Sequence, residues 1–229
     1  MTVHFDSTNS SGDVGFHRTG AGSTAHRGSP YKSAGKRIFD LLVVIAASPI
    51  IVPVITLLTL AIWFSGNRPF FVQERVGRGG RIFRMLKFRT MVDDAETVLE
   101  AYLEGNQDAR AEWDTHQKLK NDPRITAAGR FLRKTSLDEL PQFWNVLVGD
   151  MSIVGPRPMT PNQKPLYPGE AYYRMRPGIT GLWQISDRNQ CEFRERAAFD
   201  TQYETLISFG ADLSILRRTV GVVLRGTGY

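Results

Sequence analysis

The chain has 229 residues, with 29 Lys plus Arg against 23 Asp plus Glu, a net charge of +6, and one cysteine. With 41% apolar residues it can bury a core, which excludes wholesale disorder. The lone Cys191 excludes an internal disulfide and a cysteine-rich metal site, and fits a reducing compartment.

Residues 1–35 are rich in Gly, Ser and Thr and poor in apolar side chains. Nothing there offsets the entropy of ordering, so the segment reads as a disordered tail. His4, His17 and His26 are too scattered for a metal site. No apolar run follows Met1, which argues against a cleaved signal peptide.

Leu41 to Phe64 follows, 24 residues without a charge. A helix of that length covers a bilayer core of roughly 30 Å. The alternative is a buried core helix, which would show a polar stripe; this segment has none. Pro49 and Pro53 each remove a backbone donor, and Ser48 can return its hydroxyl to a carbonyl one turn back. Lys32, Lys36 and Arg37 precede the segment, and more cations follow it. Positive residues at both ends keep both ends cytoplasmic. Residues 36–66 are therefore expected to form a re-entrant helix–break–helix hairpin turning at Ser48-Pro49, with a straight span as the alternative. Trp63 and Phe64 at its exit suit the interfacial aromatic belt.

Arg68 to Arg89 concentrates the charge: seven cations stand against Glu74 alone, a net of +6. Such a block calls for an anionic partner, whether nucleic acid, acidic lipid or phosphorylated substrate. The apolar segment beside it argues against nucleic acid. Arg81 to Phe88 alternates basic and apolar residues and predicts a short strand. Asp93 to Asp114 predicts an acidic, solvent-facing helix. Further on come a helix over 137–148, a strand over 151–154, and an extended piece over 179–185. Amphipathic helices over 193–209 and 215–224 close the chain. The fold class is thus α+β, mainly helical with short strands, with residues 67–229 as one cytoplasmic domain.

The sharpest local constellation is Arg133-Lys134-Thr135-Ser136-Leu137-Asp138-Glu139. Ser136-x-x-Glu139 fits a capping box, with Asp138 complementing the helix dipole. Pro141 falls awkwardly if Ser136 is the cap and comfortably if Asp138 is. Chemically, an aspartate can attack phosphorus to form an acyl phosphate, given cations or Mg²⁺ to offset phosphoryl charge. Lys87, Arg133 and Arg157 are candidate cations. Arg157 stands between two prolines in Gly155-Pro156-Arg157-Pro158, a rigid mount for a phosphate ligand or merely a surface turn. Arg176-Pro177-Gly178 repeats the theme. Trp183 can stack on a base or simply pack. His116 reads as a solvated surface residue, and Cys191 has no second ligand or neighbouring His.

KRIFDLLVVIAASP, LKFRTM, DPRITAAGRFLRKTSLDELPQFWNVLVGDMSIVGPRP and RMRPGITGLWQISDRN together resemble the bacterial sugar transferase family, the monotopic phosphoglycosyl transferases. The resemblance covers about Lys36 to the C-terminus. It implies transfer of a sugar-1-phosphate from a UDP-hexose to polyprenyl (undecaprenyl) phosphate at the cytoplasmic face of the bacterial inner membrane, releasing UMP, as a first step of exopolysaccharide or glycan synthesis. It implies a phosphosugar carried on Asp138, with Glu139 assisting Mg²⁺ binding or proton transfer, so Asp138 and Glu139 are the catalytic and metal candidates. Lys87, Arg133, Arg157 and Pro158 match the family's substrate-binding positions, and Ser48-Pro49 its helix break. Acidic lipids are expected at the basic block, and a homodimer is among the partners considered. Without extra helices or a second domain, the layout resembles the small polysaccharide-initiating members, and the RGTGY end resembles those using galactose or glucose. The competing reading is a non-catalytic adaptor that binds acidic lipids.

Overall fold

The computed structural model describes residues 30–66, 68–117, 119–186 and 192–224. The tail to residue 29, Cys191 and the RGTGY end lie outside the described residues. A π-helical turn, Tyr31–Gly35, leads into helix α1, Lys36–Phe64. Helical structure therefore reaches back beyond residue 36, into the segment expected to be tail.

The first turns of α1 are anchored by buried charge. Asp40 accepts hydrogen bonds from Ser152 Oγ (2.8 Å) and Ile153 N (3.0 Å). Lys36 Nζ lies 2.9 Å from Asp40 and 3.0 Å from Asp212. Asp212 in turn accepts from the Tyr31 and Tyr203 hydroxyls, each at 2.6 Å. A buried carboxylate is tolerated only with such partners.

Beyond Val44 the helix exposes its apolar side chains; Ile50 is 72% and Phe64 79% exposed. A core helix would bury them, so that alternative fails. Among the described residues this is the one helix long and apolar enough to cross a membrane. Its helical run is unbroken from Lys36 to Phe64, through both prolines, so it is not divided into the two helices expected from the sequence. Ser48 explains part of this. Its hydroxyl donates to Ile45 O at 2.8 Å, the carbonyl that Pro49 leaves without an amide.

Strands β1 (Phe70–Val76) and β2 (Ile82–Phe88) pair antiparallel, from Phe70 opposite Phe88 to Val76 opposite Ile82. Left-handed Gly79 and Gly80 make the turn between them. The expected single acidic helix is two, α2 (Ala95–Glu104) and α3 (Gln107–His116). Asn106 divides them by accepting from the Ala109 amide as an N-cap. Helix α4 (Ala127–Lys134), capped by Thr126, precedes a 3₁₀ turn and helix α5 (Gln142–Val148).

Strand β3 (Ser152–Val154) pairs parallel with β4 (Gly178–Thr180), with helix α6 (Ala171–Arg174) between them in sequence. Leu182–Ile185 forms a short helix, α7, where the sequence suggests an extended piece. Four residues are too few to display a helical period. Helices α8 (Arg196–Leu206) and α9 (Phe209–Leu224) complete the described chain. Phe83, Met85, Val146, Ile153 and Ile215 meet in the main core with Val44 of α1. The Asn145 side chain fastens α5 to β2, donating to Arg84 O and accepting from Leu86 N. The segment that follows the paired acids is thereby fixed to β2.

Candidate active site

Asp138 and Glu139 sit on the 3₁₀ turn Leu137–Glu139 between α4 and α5. The capping box expected at Ser136 does not form. Ser136 has a left-handed backbone (φ 57°, ψ 17°) and its side chain makes no cap hydrogen bond. Pro141 instead stands immediately before α5, where a missing amide costs little. The reversal after α4 aims both carboxylates into a cleft and frees Glu139 from a capping role.

β2 brings Lys87 to the pair. Its Nζ lies 2.9 Å from Glu139 Oε1 and 4.0 Å from Asp138 Oδ2. Asp138 is only 7% exposed, yet among the described residues no hydrogen bond occupies its carboxylate. Burial raises its pKa, as does the like charge of Glu139, while Lys87, Arg133 and Arg157 pull the other way. A desolvated carboxylate without hydrogen bonds keeps its lone pairs available for attack.

Arg133 approaches from the last turn of α4, steadied by its Nε bond to Thr90 Oγ1 at 2.9 Å. Burial lowers its pKa, against the attraction of Asp138 and Asp122. Arg157 arrives on the Gly155–Pro158 turn, whose placement depends on glycine. A Cβ on Gly155 would meet Arg176 O at 2.4 Å, and one on Gly178 would meet Gly155 N at 2.1 Å. Only backbones without side chains approach so closely. The Arg157 guanidinium lies over the Trp183 ring at 5.5 Å, and Arg196 covers the same ring at 4.3 Å.

Lys87, Arg133, Asp138, Glu139, Arg157 and Pro158 all line one open cleft, which also reaches Val43 and Ile50 of α1. Arg176 is not among its lining residues. Its Nε donates to Gly149 O at 2.9 Å, and burial, then the like charges of Arg37 and Arg78, lowers its pKa. Ser48 and Pro49 lie on α1, Ser48 serving the Ile45 carbonyl.

Arg75 is a cleft residue that the sequence reading passes over within its charge block. Its Nη1 donates to Pro158 O at 3.0 Å, tying β1 to the Arg157 turn. Burial, then the like charge of Arg157, pushes its pKa down to about 10. Its proximity to Gln73, with which it also bonds, is the only local hint in the sequence. His116 also lines the cleft.

No group of three or more His, Cys, Asp or Glu residues able to hold a metal occurs among the described residues. The two adjacent carboxylates fit the sparser kind of Mg²⁺ site, which takes its other ligands from phosphates and water. Asp138, with no hydrogen bond to displace, suits that use.

Behind the Arg157–Trp183 stack, Asp200 is buried and accepts from the Tyr167 hydroxyl at 2.7 Å. Burial raises its pKa to about 7, against the hydrogen bond from Tyr167 and the charge of Arg196. Stability from this group is full below its ordinary value of 3.8 and is lost as pH rises through about 7. Asp200→Asn, which keeps an acceptor for Tyr167, is therefore expected to flatten the decline of thermal midpoint across that interval. An unchanged pH slope in melting experiments would exclude Asp200 as its source.

The model of the bacterial sugar transferase family matches residues 31–226. The UDP-galactose-lipid carrier transferase of Erwinia amylovora is 47% identical over 195 residues, 84% of this chain and 41% of its own. The exopolysaccharide production protein ExoY of Rhizobium meliloti is 45% identical over 202 residues, 87% of this chain and 89% of its own. The undecaprenyl-phosphate galactose phosphotransferase of Salmonella typhimurium is 46% identical, again over 84% of this chain and 41% of its own. The chain thus spans less than half of the Erwinia and Salmonella relatives and most of the Rhizobium one.

Proposed function

The chain belongs to the bacterial sugar transferase family, and from that premise we propose that it moves a hexose-1-phosphate from a UDP-sugar to polyprenyl (undecaprenyl) phosphate. The observation that carries the proposal is the buried Asp138 carboxylate, without a hydrogen bond among the described residues and under the charges of Lys87, Arg133 and Arg157. Asp138 attacks the phosphorus attached to the sugar. The bond from that phosphorus to the bridging oxygen breaks, and UMP leaves with the electron pair. A phosphate oxygen of the polyprenyl acceptor then attacks the same phosphorus and expels the carboxylate. The cations offset charge on the transferring group in both displacements. Lys87 holds Glu139, which keeps that second carboxylate from approaching Asp138 freely. When bound, Mg²⁺ on Asp138 and Glu139 supplies further charge neutralisation for the diphosphate.

We place α1 in the bilayer as a re-entrant element, with the cleft at the cytoplasmic surface of the inner membrane and acidic lipids against the basic residues. Chain length supports this. Val44 packs in one core with Phe83 and Met85 of β2, the strand that pairs with β1, and Val44 to Phe64 measures about 30 Å along a straight helix. The six residue steps from Phe64 to Phe70 reach at most about 21 Å. A straight crossing would drag the start of β1 into hydrocarbon. Accessibility labelling of both termini from outside intact cells is expected to fail; labelling of either one would establish a crossing.

The reaction is tested with purified protein, UDP-galactose or UDP-glucose, and undecaprenyl phosphate. UMP release that requires both substrates is expected in steady state. With radiolabelled donor alone, one sugar phosphate is expected on Asp138. Absence of UMP with every UDP-hexose overturns the proposal, and turnover without label on Asp138 overturns the covalent route.

A further inference from the structure

Gln184 on α7 is 6% exposed, and among the described residues neither its Oε1 nor its Nε2 has a hydrogen-bond partner. Buried polar groups are nearly always bonded, and each one left unpaired costs about 1–3 kcal/mol. An amide with both ends unpaired is therefore a strong signal of something missing. The neighbouring Trp183 is 5% exposed, and its Nε1 likewise has no partner among the described residues. Both residues line the cleft that holds Asp138.

Their position narrows what belongs there. The Gln184 amide folds back over Gly181, where a Cβ would stand 2.9 Å from Gln184 Oε1 and 2.1 Å from Gly155 O. It therefore lies beside the turn that carries Arg157, the cation stacked on Trp183. Along one edge, a primary amide presents an N–H donor beside its carbonyl acceptor in a common plane. That pair complements the edge of a planar heterocycle holding a carbonyl next to a ring N–H. Uracil presents such an imide edge, linked through ribose to phosphates that would meet Arg157.

We propose that Gln184 binds the uracil ring of the nucleotide donor through paired hydrogen bonds, with Trp183 Nε1 available to a second ring or ribose oxygen. This rests on the nucleotide-sugar reading above and adds to it the residue that recognises the base. Because the amide is unpartnered in the protein alone, its removal costs affinity and not stability. A structural glutamine would show the opposite.

The test titrates UDP and inorganic pyrophosphate onto the full chain in detergent, for wild type, Gln184→Leu and Gln184→Met, alongside thermal melting. UDP is expected to bind about 10- to 100-fold more weakly to both variants, the usual scale for lost buried hydrogen bonds. Pyrophosphate affinity is expected to be unchanged and the melting midpoint equal to wild type or higher. Equal UDP affinity in variant and wild type overturns the assignment. So does a parallel loss of pyrophosphate affinity with a lowered midpoint, which marks a structural role. Wild type that binds UDP but releases no UMP with any hexose donor sinks the transfer reaction and leaves base recognition standing.

Discussion

Asp138→Asn is expected to lower UMP release by roughly 10⁴-fold or more, the scale seen when one member of a catalytic unit is removed. The amide keeps the shape of the side chain and loses the nucleophilic charge. The same substitution is expected to raise the melting midpoint at neutral pH. Burial, with help from Glu139, raises the pKa of Asp138, so its ionisation opposes folding. Stability from such a group is full below the ordinary carboxylate pKa and is lost as pH rises through the raised folded value. The advantage of the variant should therefore shrink on acidification and vanish where the acid is protonated in both states. Retained turnover would remove Asp138 as the nucleophile. A lower midpoint at neutral pH would show that burial is not what sets its ionisation.

Lys87→Met is expected to reduce kcat/KM for the donor by about 10²- to 10³-fold, as when a preorganised charge is removed from a developing anion. Its pH profile is the sharper measurement. Lys87 is the strongest influence lowering the pKa of Asp138, and attack requires the ionised carboxylate. Without it the acid limb of the rate profile is expected to move to higher pH. Arg133 and Arg157 remain, so activity should fall and not vanish. An acid limb that stays in place would assign Lys87 to Glu139 alone, the acid it bonds at 2.9 Å.

These expectations join residues whose relation the linear chain shows only in part. The Ser136-x-x-Glu139 spacing satisfies every local rule for a capping box, yet Ser136 adopts a left-handed backbone instead. Local pattern cannot register that α4 must end and reverse to lay α5 against β2. Strand β1 escapes local pattern for a similar reason. Its seven residues, FFVQERV, lie in a block whose charge overshadows a weak alternation, and the pairing with β2 makes them a strand. Arg75 and Arg176 look alike as sequence, each basic and near a glycine turn. One lines the cleft and the other bonds the end of α5 at Gly149.

Composition and motif by themselves determined the apolar segment, the cation block, the acid pair and the proline-fixed Arg157, because these depend on residue type and near neighbours. Tertiary structure alone decided the rest. It brought Lys87 across 52 residues to Glu139, and left Asp138 buried without a hydrogen bond among the described residues. It also showed the apolar helix to be exposed. Burial, like-charge proximity and an unpartnered amide arise only when distant segments pack, and no window along the chain contains them.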